Sequence, residues 1–155
     1  MNKKLIGFGF GLAVLAVLYW LFKKANAAQN LNFSLGSPVS VRLNSSYVEW
    51  IQNLNVTNGE SSSIVINAVN LKNYIGTSEI GSTILFQPTR VAAKATSQIP
   101  LNIQIPYNNL YQALSENITG IWAKIKGQGI AFKVVGTITA EQIPVKISQN
   151  FNLKI

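Results

Sequence analysis

The pattern of apolar and polar positions divides the chain into two parts with different periods. Residues 5–22 form an unbroken apolar run without a charged residue, and Lys3-Lys4 and Lys23-Lys24 flank it. As an α-helix, such a run rises about 27 Å, close to the roughly 30 Å hydrocarbon core of a bilayer. The pattern predicts a single transmembrane helix at residues 1–24, and its candidate anchor residues are Leu5, Phe8, Leu12, Leu15, Leu18, Trp20 and Leu21.

A cleaved secretory signal is the alternative interpretation of this segment. The Lys-Lys start, the apolar run and the triplet Ala25-Asn26-Ala27 fit that pattern, with cleavage before Ala28. The run is longer than the usual signal core, however, and Lys23-Lys24 interrupts the approach to the triplet. A membrane anchor is therefore favoured, with the domain expected on the extracytoplasmic side or on a virion membrane.

Gly7 and Gly11 are a candidate helix-packing pair within the apolar run. Small residues four apart share one face of a helix and let a second helix approach closely. Glycine is also common in membrane helices that do not associate. Helix association therefore remains one of two interpretations of this pair.

After a short polar tether at residues 25–30, the period becomes two and predicts β-strands over residues 31–155. Gly36-Ser37-Pro38 interrupts the first strand and indicates a kink or bulge. Gln52 is the exception to an otherwise apolar parity in the second strand, and Asn58-Gly59 is a turn signal. The clearest alternation is that of Ile99, Leu101, Ile103 and Ile105.

One short helix is predicted after Pro106, where apolar residues follow a three-four spacing. Residues 121–126 are predicted to be a strand, with Ile121 and Ile125 on its apolar side. Seven or eight short strands separated by turn signals are typical of an antiparallel β-sandwich. The predicted fold class is therefore all-β, preceded by one transmembrane helix.

The amino-acid composition excludes most kinds of catalytic and metal-binding site in the domain. The sequence contains no cysteine, histidine or aspartate, and its five acidic residues are scattered glutamates. Disulfides, imidazole and thiolate metal ligands, and histidine- or cysteine-based catalysis are excluded. We expect no enzymatic activity, no cofactor, no metal and no small-molecule substrate.

Charge offers one candidate interaction face. The net charge is +8, and the four lysines that flank the apolar run supply half of it. No run of like charge supports nucleic-acid binding. If residues 121–126 form a strand, then Trp122, Lys124 and Lys126 share its polar side, and Lys133 on the next strand faces the same way. This face could bind anionic headgroups or an acidic partner protein, or it could be an ordinary solvated face.

Three segments of the domain resemble the late-embryogenesis-abundant group 2 proteins, also called the WHy or water-stress domain. They are LNVTNGESSSIVINAVNLKNYIGTSEIG, TRVAAKATSQIPLNIQIPYNNL and IAFKVVGTITAEQIPVKISQNFNL. The family usually has Asn-Pro in the first turn, where this chain has Asn58-Gly59. The resemblance implies an immunoglobulin-like sandwich, often membrane-anchored, without catalytic residues.

These patterns together predict a structural or interaction protein. Its expected partners are the lipid bilayer and other proteins of a larger assembly, such as a lipid-containing virion or a bacterial envelope complex. A stress-protective envelope protein of the late-embryogenesis-abundant kind is the second hypothesis. A lipid- or ligand-binding module is the third.

Overall fold

A computed structural model describes the backbone of residues 3–155 and the side chains of residues 16–155. Within that part the chain forms eight strands and three helices. In chain order they are α1 (Lys3–Gln29), β1 (Asn32–Leu43), β2 (Tyr47–Asn58), β3 (Ile64–Ile75), β4 (Ser78–Leu85), β5 (Thr89–Val91), β6 (Ala95–Pro106), α2 (Tyr107–Leu114), α3 (Ile118–Lys126), β7 (Ile130–Ala140) and β8 (Ile143–Leu153).

The strands build a two-layer antiparallel β-sandwich, as the alternation predicts. One sheet has the order β1-β2-β6. The other has the order β4-β3-β7-β8, and the short β5 pairs with the start of β3. Each pairing is antiparallel.

The core lies between the two sheets. Ile99, Leu101, Ile103 and Ile105 are all buried along β6, which confirms their predicted parity. Trp50 of β2 meets Phe132 of the opposite sheet edge to face, with ring centroids 5.4 Å apart. Alternate apolar side chains from both layers therefore interdigitate, which is how a sandwich excludes water.

Gln52 occupies the same buried parity as its apolar neighbours on β2. Its side-chain carbonyl accepts a hydrogen bond from Trp50 Nε1 at 3.2 Å, and its amide donates to Gly36 O at the irregular part of β1. The pairing of β1 with β2 shifts register between Leu35 and Pro38, which confirms the predicted bulge. The buried amide of Gln52 thus provides a hydrogen-bond donor for a backbone carbonyl in the part of β1 where the bulge interrupts the regular strand pairing.

The predicted tether at residues 25–30 is wrong, because α1 continues through it to Gln29. Ala27 and Ala28 are 1% and 0% exposed and belong to the core of the sandwich. Asn30 N donates to Asn26 O at 3.0 Å and closes the last turn. The helix therefore enters the domain directly.

The predicted strand at residues 121–126 is also wrong, because these residues form most of α3. Ile121 and Ile125 are buried, and a spacing of four fits one side of a strand and one face of a helix equally well. Asn117 decides between them: its side chain accepts a hydrogen bond from Gly120 N at 2.9 Å and caps the helix. The helix predicted after Pro106 is confirmed as α2, but it is followed by a second one.

The alternation at residues 63–73 predicts a strand with Ile64, Ile66 and Ala68 on one face and Val65, Val69 and Leu71 on the other, and β3 departs from this pattern. The strand buries Ile64 and Ile66 in its first half and Val69 and Leu71 in its second half. In a regular strand these even-numbered and odd-numbered positions would face opposite sides of the sheet. The register with β7 shifts between Ile66 and Ala68, so a bulge turns the second half of the strand over. The segment after β3 is a hairpin into β4 with Gly76 at φ 58°.

A side chain joins the two sheets along one edge of the sandwich. Gln149 of β8 accepts a hydrogen bond from Leu35 N at 2.8 Å and donates to Phe33 O. Both partners are backbone groups of β1, which lies in the other sheet. The amide of Gln149 therefore takes the place that a neighbouring strand would occupy beside β1.

Candidate interaction site

Where its side chains are described, helix α1 has an apolar stretch at residues 17–22 that the sandwich leaves uncovered. Residues 17–22 are each between 50% and 70% exposed. Six consecutive positions pass around the whole circumference of a helix, so no polar side faces water. Leu18, Trp20 and Leu21, which the sequence predicts to be anchor residues, lie in this exposed stretch.

The other predicted anchor and packing residues lie outside the residues whose side chains are described. They are Leu5, Phe8, Leu12, Leu15, Gly7 and Gly11. Between residues 16 and 155, where side chains are described, no helix has the length and apolar character needed to cross a membrane.

An ion pair fixes the base of α1 to the sandwich. Lys24 Nζ lies 2.9 Å from Glu141 Oε1, and the side chains of the two residues are 24% and 17% exposed. The same carboxylate oxygen accepts a hydrogen bond from Val65 N at 3.0 Å. Lys24 also lies over the ring of Trp20, 4.6 Å from its centroid. One carboxylate thus joins the helix, the β7–β8 turn and the start of β3.

Three turns surround the base of α1, and we call them together the helix-proximal end. They are the β2–β3 turn (residues 59–63), the β5–β6 turn (residues 92–94) and the β7–β8 turn (residues 141–142). Asn30 Nδ2 donates to Glu60 Oε1 at 3.2 Å and connects the end of α1 to the first of them.

Asn58 connects the first two turns. Its buried amide donates to Ser62 O at 2.8 Å and to Ala92 O at 3.1 Å. Its carbonyl accepts a hydrogen bond from Glu60 N at 3.0 Å. The sequence identifies Asn58 as a turn residue, but its bond to the distant β5–β6 turn leaves no local sequence signal.

The candidate face of Trp122, Lys124, Lys126 and Lys133 is not assembled as predicted, because the first three lie on a helix. Residues two apart on a helix point in nearly opposite directions, so Lys124 is separated from the other two. Lys124 Nζ forms an ion pair with Glu116 at 2.9 Å. Lys126 and Lys133 are both exposed, and Lys133 lies on β7. Their role in binding stays a prediction.

Trp122 has a packing partner of its own. Its indole Nε1 donates a hydrogen bond to the hydroxyl of Tyr107, which is buried at the start of α2. Burial raises the pKa of Tyr107, and the hydrogen bond from Trp122 offsets part of that rise. These contacts join α2 to α3 and make Trp122 a half-buried packing residue.

The surface also has a shallow depression of about 390 Å³ beside the irregular part of β1. Arg42 and Glu49 lie on its wall and form an ion pair at 3.6 Å. A lone carboxylate that is already paired offers neither an acid–base pair nor a metal site. Among the described residues no group of three acidic side chains could hold a metal ion.

Two solved structures are similar to this chain. One is the solution structure of a protein from Arabidopsis thaliana, at 20% sequence identity and a TM-score of 0.50, covering 81% of this chain and 85% of that one. The other is the solution structure of a candidate late embryogenesis abundant (LEA) protein, at 14% identity and a TM-score of 0.50, covering 94% and 87%. The domain has an LEA-like fold.

At these identities the likeness concerns the fold alone. No protein-family model matches the sequence, and no curated protein is significantly similar to it. The LEA-like resemblance of the sequence is thus confirmed for the architecture of the sandwich.

Proposed function

We propose that this protein is a non-enzymatic membrane protein in which α1 anchors an LEA-like sandwich at a bilayer surface. The observation that supports this most is the exposure of residues 17–22 on every side of α1. Burying an apolar side chain of this size contributes about 1.5–3 kcal/mol relative to leaving it in water. The sandwich does not bury these side chains, and a lipid environment would.

The sequence before this stretch supports the same proposal. The apolar run extends back to Leu5 without a charge, and the backbone of α1 is helical from Lys3. A helix satisfies its own backbone hydrogen bonds, as the interior of a bilayer requires. We place the membrane segment at residues 5–22 and the domain on the extracytoplasmic side, or on the outer face of a virion membrane.

The state of the carboxylates supports a role without catalysis. All five glutamates have a partner that holds the carboxylate. Four form ion pairs, and the fifth accepts a hydrogen bond from Asn30; they are Glu49, Glu79, Glu116, Glu141 and Glu60. The sequence contains no histidine, cysteine or aspartate, so no carboxylate or imidazole side chain is without a partner. We therefore propose that the protein has a structural or protein-interaction role. It would be one component of a larger membrane assembly, such as a lipid-containing virion or a bacterial envelope complex.

Extraction of membranes with alkaline carbonate tests the anchor. The full chain should stay in the membrane pellet, and recovery in the supernatant would contradict the proposal. Ala13→Lys should shift the protein to the supernatant, because a lysine at the centre of a membrane helix costs about 2.5–3.5 kcal/mol on insertion scales. Ala93→Lys adds the same charge to an exposed turn and should leave the protein in the pellet.

A stress-protective LEA-like protein is the second candidate, and the similarity to an LEA-class structure favours it. The strand orders β1-β2-β6 and β4-β3-β7-β8 correspond to the A-B-E and C′-C-F-G sheets of immunoglobulin-like sandwiches, the topology that this resemblance implies. Drying a dehydration-sensitive enzyme with the purified full chain would distinguish the candidates. Retained enzyme activity above that given by an equal mass of an unrelated membrane protein supports protection, and equal activity rejects it.

A further inference from the structure

We propose that the helix-proximal end, together with Lys23 of α1 and Arg90 of the adjacent strand β5, is a contact surface for anionic lipid headgroups. Lys23, Arg90 and Lys94 are the residues that meet them. This inference rests on the proposed membrane anchor and adds to it a surface and a lipid chemistry. Three observations carry it: the level of the turns along α1, the charges left at this end, and the rigidity of the turns.

The ion pair between Lys24 and Glu141 sets the level of the sandwich along α1. Glu141 lies at the tip of the β7–β8 turn, so this turn lies beside residue 24 of the helix. Residue 24 is two positions beyond Phe22, which corresponds to a rise of about 3 Å. The headgroup region extends roughly 5–7 Å beyond the hydrocarbon core on each side. If residues 5–22 span the core, the helix-proximal end lies within the headgroup region.

The charges at this end are unbalanced toward the positive. Lys23, Lys24, Arg90 and Lys94 carry four positive charges here, against the two carboxylates of Glu60 and Glu141. Glu141 is paired with Lys24, and Glu60 accepts a hydrogen bond from the neutral amide of Asn30. Among residues 16–155, Lys23, Arg90 and Lys94 form no ion pair. Three cations without carboxylate partners next to an apolar helix are complementary to phosphate groups of anionic lipids, each contributing about 1 kcal/mol near such a surface.

Arg90 and Lys94 are held in place by contacts that leave donors available. Arg90 Nη2 donates to Ser63 Oγ at 2.8 Å, and the rest of the guanidinium can donate to a phosphate. Lys94 N donates to Glu60 O at 3.0 Å, and its ammonium contacts Gly59 O on the same turn. Because Asn58 bonds these turns to each other, the cations keep a fixed position relative to α1.

The test uses the full chain, which contains no cysteine, so one introduced cysteine carries a unique fluorophore. Ala93→Cys places the label on the β5–β6 turn, and Ser45→Cys places it on the β1–β2 turn. The two turns lie at opposite ends of strands of 12 residues, about 35–40 Å apart. Each labelled protein is reconstituted in vesicles of phosphatidylcholine alone or mixed with phosphatidylglycerol. A lipid with a nitroxide on its headgroup then quenches any label at the headgroup level.

We expect the label at position 93 to be quenched, and to be quenched more in the anionic vesicles, whereas the label at position 45 is quenched in neither. The double variant Arg90→Gln, Lys94→Gln should lose the increment caused by anionic lipid. Lys154→Gln is the matched control, because Lys154 is also exposed and without an ion pair among the described residues, and it follows β8 at the end opposite the β7–β8 turn. It should keep the increment.

Two results would overturn the inference: equal quenching at positions 93 and 45, or an anionic increment that survives in the double variant. Flotation of the unlabelled protein with neutral vesicles in carbonate separates this failure from failure of the anchor. A protein that floats but shows no quenching at position 93 retains its anchor and lacks the headgroup contact. A protein that does not float rejects both proposals.

Discussion

The ion pair between Lys24 and Glu141 gives a prediction about how the helix is fixed to the sandwich. Glu141→Gln removes the charge of the carboxylate but keeps its size and an oxygen that can accept from Val65 N. Lys24→Met removes the ammonium and keeps most of the side-chain length. The double-mutant cycle of these two changes isolates the interaction between the charges from other effects of each change.

The geometry sets the size of the expected coupling. The two atoms lie 2.9 Å apart, and both side chains are less than a quarter exposed. Hydrogen bonds that involve a charged group contribute about 1.5–3 kcal/mol, and partial exposure to solvent reduces this. We expect a coupling of about 1–1.5 kcal/mol. Glu141→Ala should cost more than Glu141→Gln, because it also leaves Val65 N without its side-chain acceptor.

Unfolding of the full chain by urea in detergent micelles measures these free energies, with the fluorescence of the buried Trp50 following the sandwich. The pair between Lys72 and Glu79 is the matched control, since its distance is 2.8 Å but its side chains are 52% and 42% exposed. Its cycle should give a smaller coupling. A coupling near zero for Lys24 and Glu141 would refute the rigid attachment of α1 and, with it, the level assigned to the helix-proximal end.

Three further predictions concern the sandwich, each measured by the same unfolding experiment. Ile103→Ala should destabilise it by about 2–5 kcal/mol, whereas the exposed Asn102→Ala should stay within about 0.5 kcal/mol; equal costs would contradict the burial of alternate residues on β6. Gly136→Ala should cost about 1–3 kcal/mol or more, because a Cβ at this position would lie 2.1 Å from the backbone oxygen of Asn70. Gly59→Ala is the control and should be tolerated, because a Cβ there meets no atom within 4 Å. Similar costs for the two changes would contradict the close approach of β7 to β3. Because burial raises the pKa of Tyr107, the folded state holds that proton more tightly than the unfolded state, so stability should fall as pH rises past about 10, and Tyr107→Phe should remove that part of the fall.

The sequence predicts the sandwich well where the period of two is uninterrupted. The alternation along β6 identifies both the strand and its buried face, and the apolar parity of β2 correctly includes Trp50. It fails where two structures share one spacing, as for Ile121 and Ile125, which are four apart in a strand or a helix. It also fails at the bulge in β3, where a single extra residue exchanges the faces.

The candidate site was harder to predict because its contacts are distant in sequence. Lys24 and Glu141 are 117 residues apart, and neither belongs to a motif. Ala27 and Ala28 have small side chains, so they add little to an apolar sequence pattern. Because Asn26, Gln29 and Asn30 surround them in the sequence, the segment resembles a polar tether. Only the exposed apolar part of α1 is evident from the sequence itself, as an uninterrupted run that a sandwich of this size does not bury.

The side chain of Gln149 protects the exposed edge of β1. Edge strands of β-sandwiches expose backbone donors and acceptors to which a strand of another molecule can bind, and this leads to aggregation or strand exchange. Proteins confined to one membrane plane meet each other at high effective concentration. Because Gln149 already bonds Leu35 N and Phe33 O of β1, an incoming strand would first have to displace that amide. Under the proposed anchor, neighbouring copies would therefore pack side by side while each retains its own strands.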